Sequence, residues 1–264
     1  MSDIVSLFQV PKLSYRVWKV WMRNKDVFMK TYKTNFLPSL LEPVLYLLAL
    51  GFGLGGFVQP INGELYINFI APALVAVSMM FSSFYECTFA SFVRMYFQKT
   101  FDAIIATPVT IEEVITGEIL WGATKSLINS SIVLGVIVAF GVVPSPLFLL
   151  IPPISFLVGL LFSSIAMCFT AIVPNIDSFN YPSFLFITPM FLLSGTFFPL
   201  TSMPPFLQVA ATVLLPLTNA VVVTRYLALG NIQLSILLNL AWMLIVTPFF
   251  FIISINLMKK RLIK

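Results

Sequence analysis

Long apolar runs, interrupted at only a few positions, leave this chain little choice of fold. Several approach the roughly 20 residues that a helix needs to cross a bilayer, and charge is nearly absent from them. Of the 264 residues, 59% are hydrophobic and 9% charged, whereas ordinary soluble domains carry about 25% charged residues. A soluble globule would have to solvate its surface with 15 basic and 10 acidic side chains, which gather mainly at the two ends. The chain therefore reads as an all-α polytopic membrane protein.

Six transmembrane helices are expected, at about 36–58, 66–92, 115–140, 154–173, 181–198 and 234–255, with Pro189 kinking the fifth. Between the fifth and sixth, Pro204, Pro205 and Pro216 break an apolar region that is long enough to cross but not continuous. A re-entrant extracellular segment is the better reading, because broken backbone is tolerated at membrane depth only where protein buries it. Upstream, residues 13–33 place Arg16, Lys19, Arg23 and Lys30 at helical spacing, with Val17, Val20, Trp21, Phe28 and Tyr32 on the other side. This pattern predicts an amphipathic helix lying in the membrane interface. The mixed stretch 93–116 is expected to be a structured loop outside the hydrocarbon, with Thr110 and Glu113 forming a capping box for the next helix.

The cations set the expected orientation. Thirteen of the 15 lie in the N-terminal segment, in the 93–116 loop (Arg94 and Lys99) or at the C-terminal KKRLIK. Six crossings put all thirteen on one side, so both termini are expected in the cytoplasm. Arg225 falls opposite and Lys125 within the third span. A seventh crossing would expel the C-terminal cluster, which again favours the re-entrant reading. No cleavable leader is expected, since no apolar core ends in a small-residue cleavage site. The resulting division is a cytoplasmic N-terminus with the interface helix at 1–35, one membrane domain at 36–257 and a basic tail at 258–264.

Catalytic patterns are missing from the sequence. It has no GxxxxGK[ST], HExxH, GxSxG or paired CxxC, and no histidine. Cys87 and Cys168 both fall in expected spans, so no disulfide framework or thiolate metal site is indicated. A charge in hydrocarbon costs at least a few kcal/mol, so each ionisable residue near the membrane should face protein, water or headgroups. Glu42 and Glu118 read as headgroup anchors, while Glu86 and Lys125 stand as intramembrane polar candidates for a lining or a state-dependent latch. Glu118 and Lys125 share a helix face but lie too far apart, at about 10 Å of rise, for a simple ion pair. The run GFGLGG at 51–56 suits either a contact surface or a loosened helix end. These features leave open an ion-coupled secondary transporter, a non-transporting scaffold subunit and the pathway of a pump powered from outside.

Four blocks resemble one known family: EPVLYLLALGFGLGGFV at 42–58, YINFIAPALVA at 66–76, FDAIIATPVTIEEVITGEILWGATKSLI at 101–128 and FLLSGTFFPLTSMPPFLQVAATVLLPLTNAVVVTRYLALG at 191–230. They are similar to the ABC-2 type transporter permeases, in the branch of nodulation-factor, daunorubicin-type and polysaccharide exporters. Ala73 after Pro72 departs from the glycine expected there. The resemblance implies a homodimeric permease for an amphiphilic substrate, either a glycolipid, a lipid-linked polysaccharide or a hydrophobic drug. It would sit in the bacterial inner membrane with two copies of a separate ATP-binding subunit. This chain would bind no cofactor itself, ATP and Mg being held by the partner. Coupling to the ATPase is implied for Arg16, Arg23, Phe101, Asp102, Thr107, Pro108 and Glu113. An extracellular gate is implied for Ser194, Gly195, Phe197, Phe198 and Pro199.

Overall fold

The computed structural model describes residues 6–32, 41, 44–61, 63–231 and 233–263, and the long elements among them are all helices. In chain order they are α1 (Val17–Lys30), α2 (Val44–Leu54), α3 (Tyr66–Phe97), the short α4 (Thr100–Ile105), α5 (Ile111–Ala139), α6 (Pro146–Ile172), α7 (180–193), α8 (Pro205–Leu214), α9 (Pro216–Leu229) and α10 (Leu234–Leu262). Among the described residues, α3, α5, α6 and α10 are each long and apolar enough to span a membrane. The pair α8 and α9 would add a fifth crossing if counted as one, but the two helices meet at an angle of 93°. The bend answers to chemistry at Leu215–Pro216. Leu215 is extended, and Pro216, lacking an N–H, starts the next helix. The expected break in this region is therefore present as a bent, re-entrant-like pair.

Two boundaries differ from those expected. The second span does not yield to a loop at Val93. It continues to Phe97 through widened π turns at Glu86–Ala90 and Val93–Phe97. The fifth expected span is helical only over 180–193, and a widened turn at Ser183–Ile187 precedes Pro189. Such a turn accommodates the missing amide and the crowding that proline imposes on the turn before it. Most of the inner half of the first expected span, with Pro38, Glu42 and Pro43, lies outside the described residues. Its outer half is α2, where Gly51 sits against Ile67 of α3 so closely that a Cβ would lie 2.9 Å from that side chain.

α5 holds the bundle together. It packs against α1, α3, α6 and α10, and α6 in turn packs against α3 and α10. Small residues permit the close approach: a Cβ on Gly159 of α6 would stand 2.5 Å from Ser126 Cβ and 2.8 Å from Ala123 Cα of α5. Large side chains fill the spaces between these contacts, with Phe84, Phe92, Phe162 and Phe179 fully buried. On the outward faces of α8 and α10, Phe206, Val209, Leu237, Leu238 and Ile245 are exposed, as suits helices solvated by lipid.

The segment before α1 and the end of α10 meet at one end of the bundle. Asn256 of α10 donates from Nδ2 to the carbonyls of Leu7 (3.0 Å) and Gln9 (2.9 Å). Lys259 Nζ lies 2.6 Å from Glu112 Oε1, and the same carboxylate accepts from the Lys12 amide at 2.7 Å.

Gly159→Ala is expected to destabilise the detergent-solubilised protein by about 1–3 kcal/mol through overpacking. Gly135→Ala, where a Cβ meets nothing within 4 Å, should cost nothing and can gain up to about 1 kcal/mol of helix propensity. Unfolding curves in SDS titrations check both.

Candidate functional site

At the end of the bundle that holds both chain termini, α3 and α5 trap a group of charges between them. Arg94 of α3 donates from Nη1 to Glu86 at 2.8 Å and from Nη2 to Glu118 of α5 at 2.5 Å. Glu118 also accepts from Asn24 Nδ2 of α1 at 2.7 Å and from the Ser91 hydroxyl. Lys125, on the same face of α5, turns to the other oxygen of Glu86 at 3.4 Å. Glu118 is 1% exposed and Glu86 8%, so both carboxylates are buried and depend on protein partners. Breaking a buried pair on one side costs several kcal/mol, and here each member is satisfied by protein.

The wide turns of α3 explain how one helix supplies both Glu86 and Arg94. Eight residues of regular α-helix would set the two about 80° apart around the axis. The widened turn at Glu86–Ala90 takes up one extra residue, which cuts that offset to about 20° and brings Arg94 back over Glu86. Glu118 and Lys125 do not pair with each other, as their spacing predicts, and each takes its partner from α3. Glu118 is not a headgroup anchor: it is the most enclosed member of the cluster, because Arg94 lies on the helix and not in a loop. Arg94, Asn24 and Ser91 are the site residues that sequence reasoning missed. Their signal is an arginine two helical turns beyond a carboxylate, on a run that otherwise reads as ended.

α1 docks on α5 directly above this cluster. Val17 and Val20 are buried, and a Cβ on Gly117 would lie 2.6 Å from Val20 Cβ. Trp21 Nε1 donates to Thr124 Oγ1 at 2.9 Å, and the Trp21 and Phe28 rings meet Trp121 edge-on. The face assigned to the membrane interface is thus spent largely on α5, while Trp18, Val27 and Met29 stay exposed. Arg23 hydrogen-bonds Asn24 Oδ1 at 2.8 Å and turns towards the cluster. Burial lowers its pKa; Glu118 opposes that shift and Arg94 adds to it. An arginine nonetheless stays protonated at physiological pH.

The loop beyond α3 carries the other residues assigned to coupling. Phe101 of α4 is fully buried, whereas Asp102, Thr107 and Pro108 are exposed. Arg16 Nη1 donates to the Pro108 carbonyl. Thr110 accepts from the Glu113 amide while Glu113 accepts from the Thr110 amide, so the expected capping box is formed. Glu113 also accepts from the Ser14 hydroxyl. The loop is therefore fastened to the segment before α1 and to the first turn of α5.

The opposite end of the bundle holds 194–199. Ser194, Gly195 and Thr196 are buried, Phe197 and Pro199 half-buried and Phe198 exposed. Gly195 has φ +72°, a conformation that L side chains rarely adopt. Its carbonyl accepts from Arg225 Nη2 at 2.9 Å, and Arg225 Nε donates to the Phe69 carbonyl at 3.2 Å. The guanidinium stacks 3.7 Å from the Phe69 ring centroid, and Tyr66 donates to the Phe197 carbonyl at 3.1 Å. Arg225 thus fastens this turn to the start of α3, a role its position in the sequence does not suggest. Among the described residues no group of His, Cys, Asp or Glu could hold a metal ion.

Comparison with known proteins identifies the family. Residues 15–229 match the ABC-2 type transporter family. Nodulation protein J of Rhizobium meliloti (strain 1021) is 36% identical over 245 residues, covering 92% of each chain. Nodulation protein J of Sinorhizobium fredii (strain NBRC 101917 / NGR234) is 34% identical over 244 residues, covering 92% of this chain and 93% of the relative. Inner membrane transport permease YadH of Escherichia coli (strain K12) is 23% identical over 189 residues, covering 72% and 73%. No solved structure matches the chain.

Arg94→Met is expected to lower stability by about 3–5 kcal/mol, because it strands the buried Glu118 and leaves Glu86 with Lys125 alone. Adding Glu118→Gln should recover part of that loss, since the two residues are coupled. A double-mutant cycle of SDS unfolding measures the recovery, and strict additivity would mean that the pair does not interact.

Proposed function

The chain belongs to the ABC-2 type transporter family and is the membrane permease subunit of an ABC exporter; we propose that it works as a six-span homodimer, with two copies of a cytoplasmic ATP-binding subunit, to move an amphiphile outward. α2 and α7 supply the two crossings beyond α3, α5, α6 and α10, and α8–α9 dips in from the outer side. Both termini lie in the cytoplasm of the bacterial cell, on the inner face of the inner membrane. The clustering of cations at the end that holds both termini supports this orientation. The name of the Escherichia coli relative supports the location.

The observation that carries the coupling reading is the fastening of an exposed loop to α1 and α5, the helices that pack around the buried charge network. Asp102, Thr107 and Pro108 are open to a partner, Phe101 roots their helix in the core, and Arg16 and Glu113 tie them to α1 and α5. Closure of nucleotide-loaded partners against this loop would move α1 and α5 together. The displacement would reach Glu118, Arg94 and Glu86, whose ion pairs bridge α3 and α5. At the far end, Ser194, Gly195, Phe197, Phe198 and Pro199 form the outer gate, with Arg225 as its tether. An ion-coupled mechanism finds less support, because Glu86 and Glu118 are already neutralised by Arg94 and Lys125.

Two results test this reading. An ATP-binding protein should co-purify with the chain in equal copy number in mild detergent. Asp102→Arg, an exposed change, should lower substrate-stimulated ATP hydrolysis of that complex by about tenfold, as the loss of about 1.4 kcal/mol at the interface would. Unchanged stimulation would remove the 96–114 loop from the coupling path.

A further inference from the structure

Beside the charge cluster, between α1, α2, α3 and α5, lies a cavity of about 760 Å³. Its walls change character along α3. Leu74, Val77 and Phe81 line one part, and Glu86 and Arg94 the other, with Phe89 between them. From Leu74 to Arg94 the helix rises about 30 Å, so the cavity is elongated, with a greasy end and a charged end. α1 and α5 add Arg23 and Lys125 at the charged end.

The charges there do not balance. Arg23, Arg94 and Lys125 face Glu86, with Glu118 behind the wall holding Arg94. Three cations against two carboxylates leave one positive charge among the described residues. The surplus is localised. Arg94 is gripped by both carboxylates at 2.8 and 2.5 Å. Lys125 shares Glu86 at a looser 3.4 Å and also leans over the Phe28 ring at 5.1 Å. Arg23 makes no salt bridge among the described residues; it holds Asn24 at 2.8 Å and touches Thr100 only at 3.5 Å. A half-buried guanidinium near a second arginine, in a cavity that a lysine also lines, is stabilised by an anion placed between them.

We propose that this cavity binds an amphiphile with an anionic head and an acyl tail. The head lies between Arg23 and Lys125, and the tail runs along Phe81, Val77 and Leu74. The anion displaces Lys125 from its long contact with Glu86 and leaves the Arg94 pairs intact. The proposal deepens the exporter reading and rests on it only for whether the bound amphiphile is cargo. Binding itself is a property of this chain alone. It also gives Arg23 a role different from coupling: the residue faces ligand, and α1 carries both the ligand contact and the link to the loop.

The test uses the full chain in phosphatidylcholine nanodiscs with radiolabelled dodecyl phosphate and, as the zwitterionic match, dodecylphosphocholine. Dodecyl phosphate should bind about tenfold tighter, the value of one charge-assisted hydrogen bond. Arg23→Gln and Lys125→Gln should each erase most of that difference, while the exposed Lys19→Gln leaves it unchanged. Phe81→Ala should weaken both probes alike. Unshifted SDS unfolding of Arg23→Gln shows that the loss is not misfolding, and Arg23→Lys should restore part of the preference. Equal affinity for the two probes, or an anionic preference that survives Arg23→Gln combined with Lys125→Gln, overturns the site. With the co-purified ATPase, stimulation of hydrolysis by dodecyl phosphate identifies the occupant as cargo, and binding without stimulation identifies a resident membrane lipid. If no ATPase assembles with the chain, the exporter reading fails while the binding result stands.

Discussion

Glu118 sits in the helix that most of the bundle packs around, and a carboxylate in that position must be neutralised within reach of its own side chain. Arg94 from α3, Asn24 from α1 and Ser91 supply the neutralisation. The requirement joins three elements whose apolar surfaces alone would specify their mutual register weakly. In a membrane, apolar surface gives little drive for helix association, and close packing with polar contacts has to supply it. Gly117 and Gly159 bring the backbones together, and the ion pairs fix where along their length they meet.

One network therefore serves two purposes that are usually separate. It anchors an amphipathic helix onto the bundle, and it forms the wall of a cavity that carries a surplus cation among the described residues. Motion delivered to α1 cannot leave the cavity unchanged, because Asn24 and Arg23 are neighbours on that helix. Asn24 grips Glu118 from one side while Arg23 lines the space on the other. The far end is built by different means. There a single buried arginine holds backbone carbonyls and an aromatic face, with no carboxylate recorded beside it among the described residues.

Much of this was legible in the sequence where the signal is local. The capping box at Thr110 and Glu113, the break at Pro204, Pro205 and Pro216, and the helical spacing of 13–33 each rest on a few neighbouring residues, and each is present. What was not legible depends on contacts far along the chain. Arg94 reads as the end of a span because a window sees a charge in it. The two carboxylates that make the charge acceptable lie eight residues back and 24 residues ahead. Glu118 reads as an anchor for the same reason. The aromatic side of 13–33 reads as lipid-facing because nothing nearby announces that Gly117, in another helix, leaves a groove for Val20. Arg225 reads as an isolated outer cation until Gly195 and Phe69 are brought beside it.

The meeting of Leu7 and Gln9 with Asn256, and of Lys12 with the carboxylate that Lys259 also holds, bears on how the protein is made. A ribosome delivers residues 7–12 well before α10, so these residues emerge long before their binding site exists. They must stay unsettled through the insertion of every intervening helix, and they can lock only when the final one arrives. Closure of this clasp would then follow the insertion of α10, and a chain stalled before α10 would leave its basic N-terminal segment unclasped.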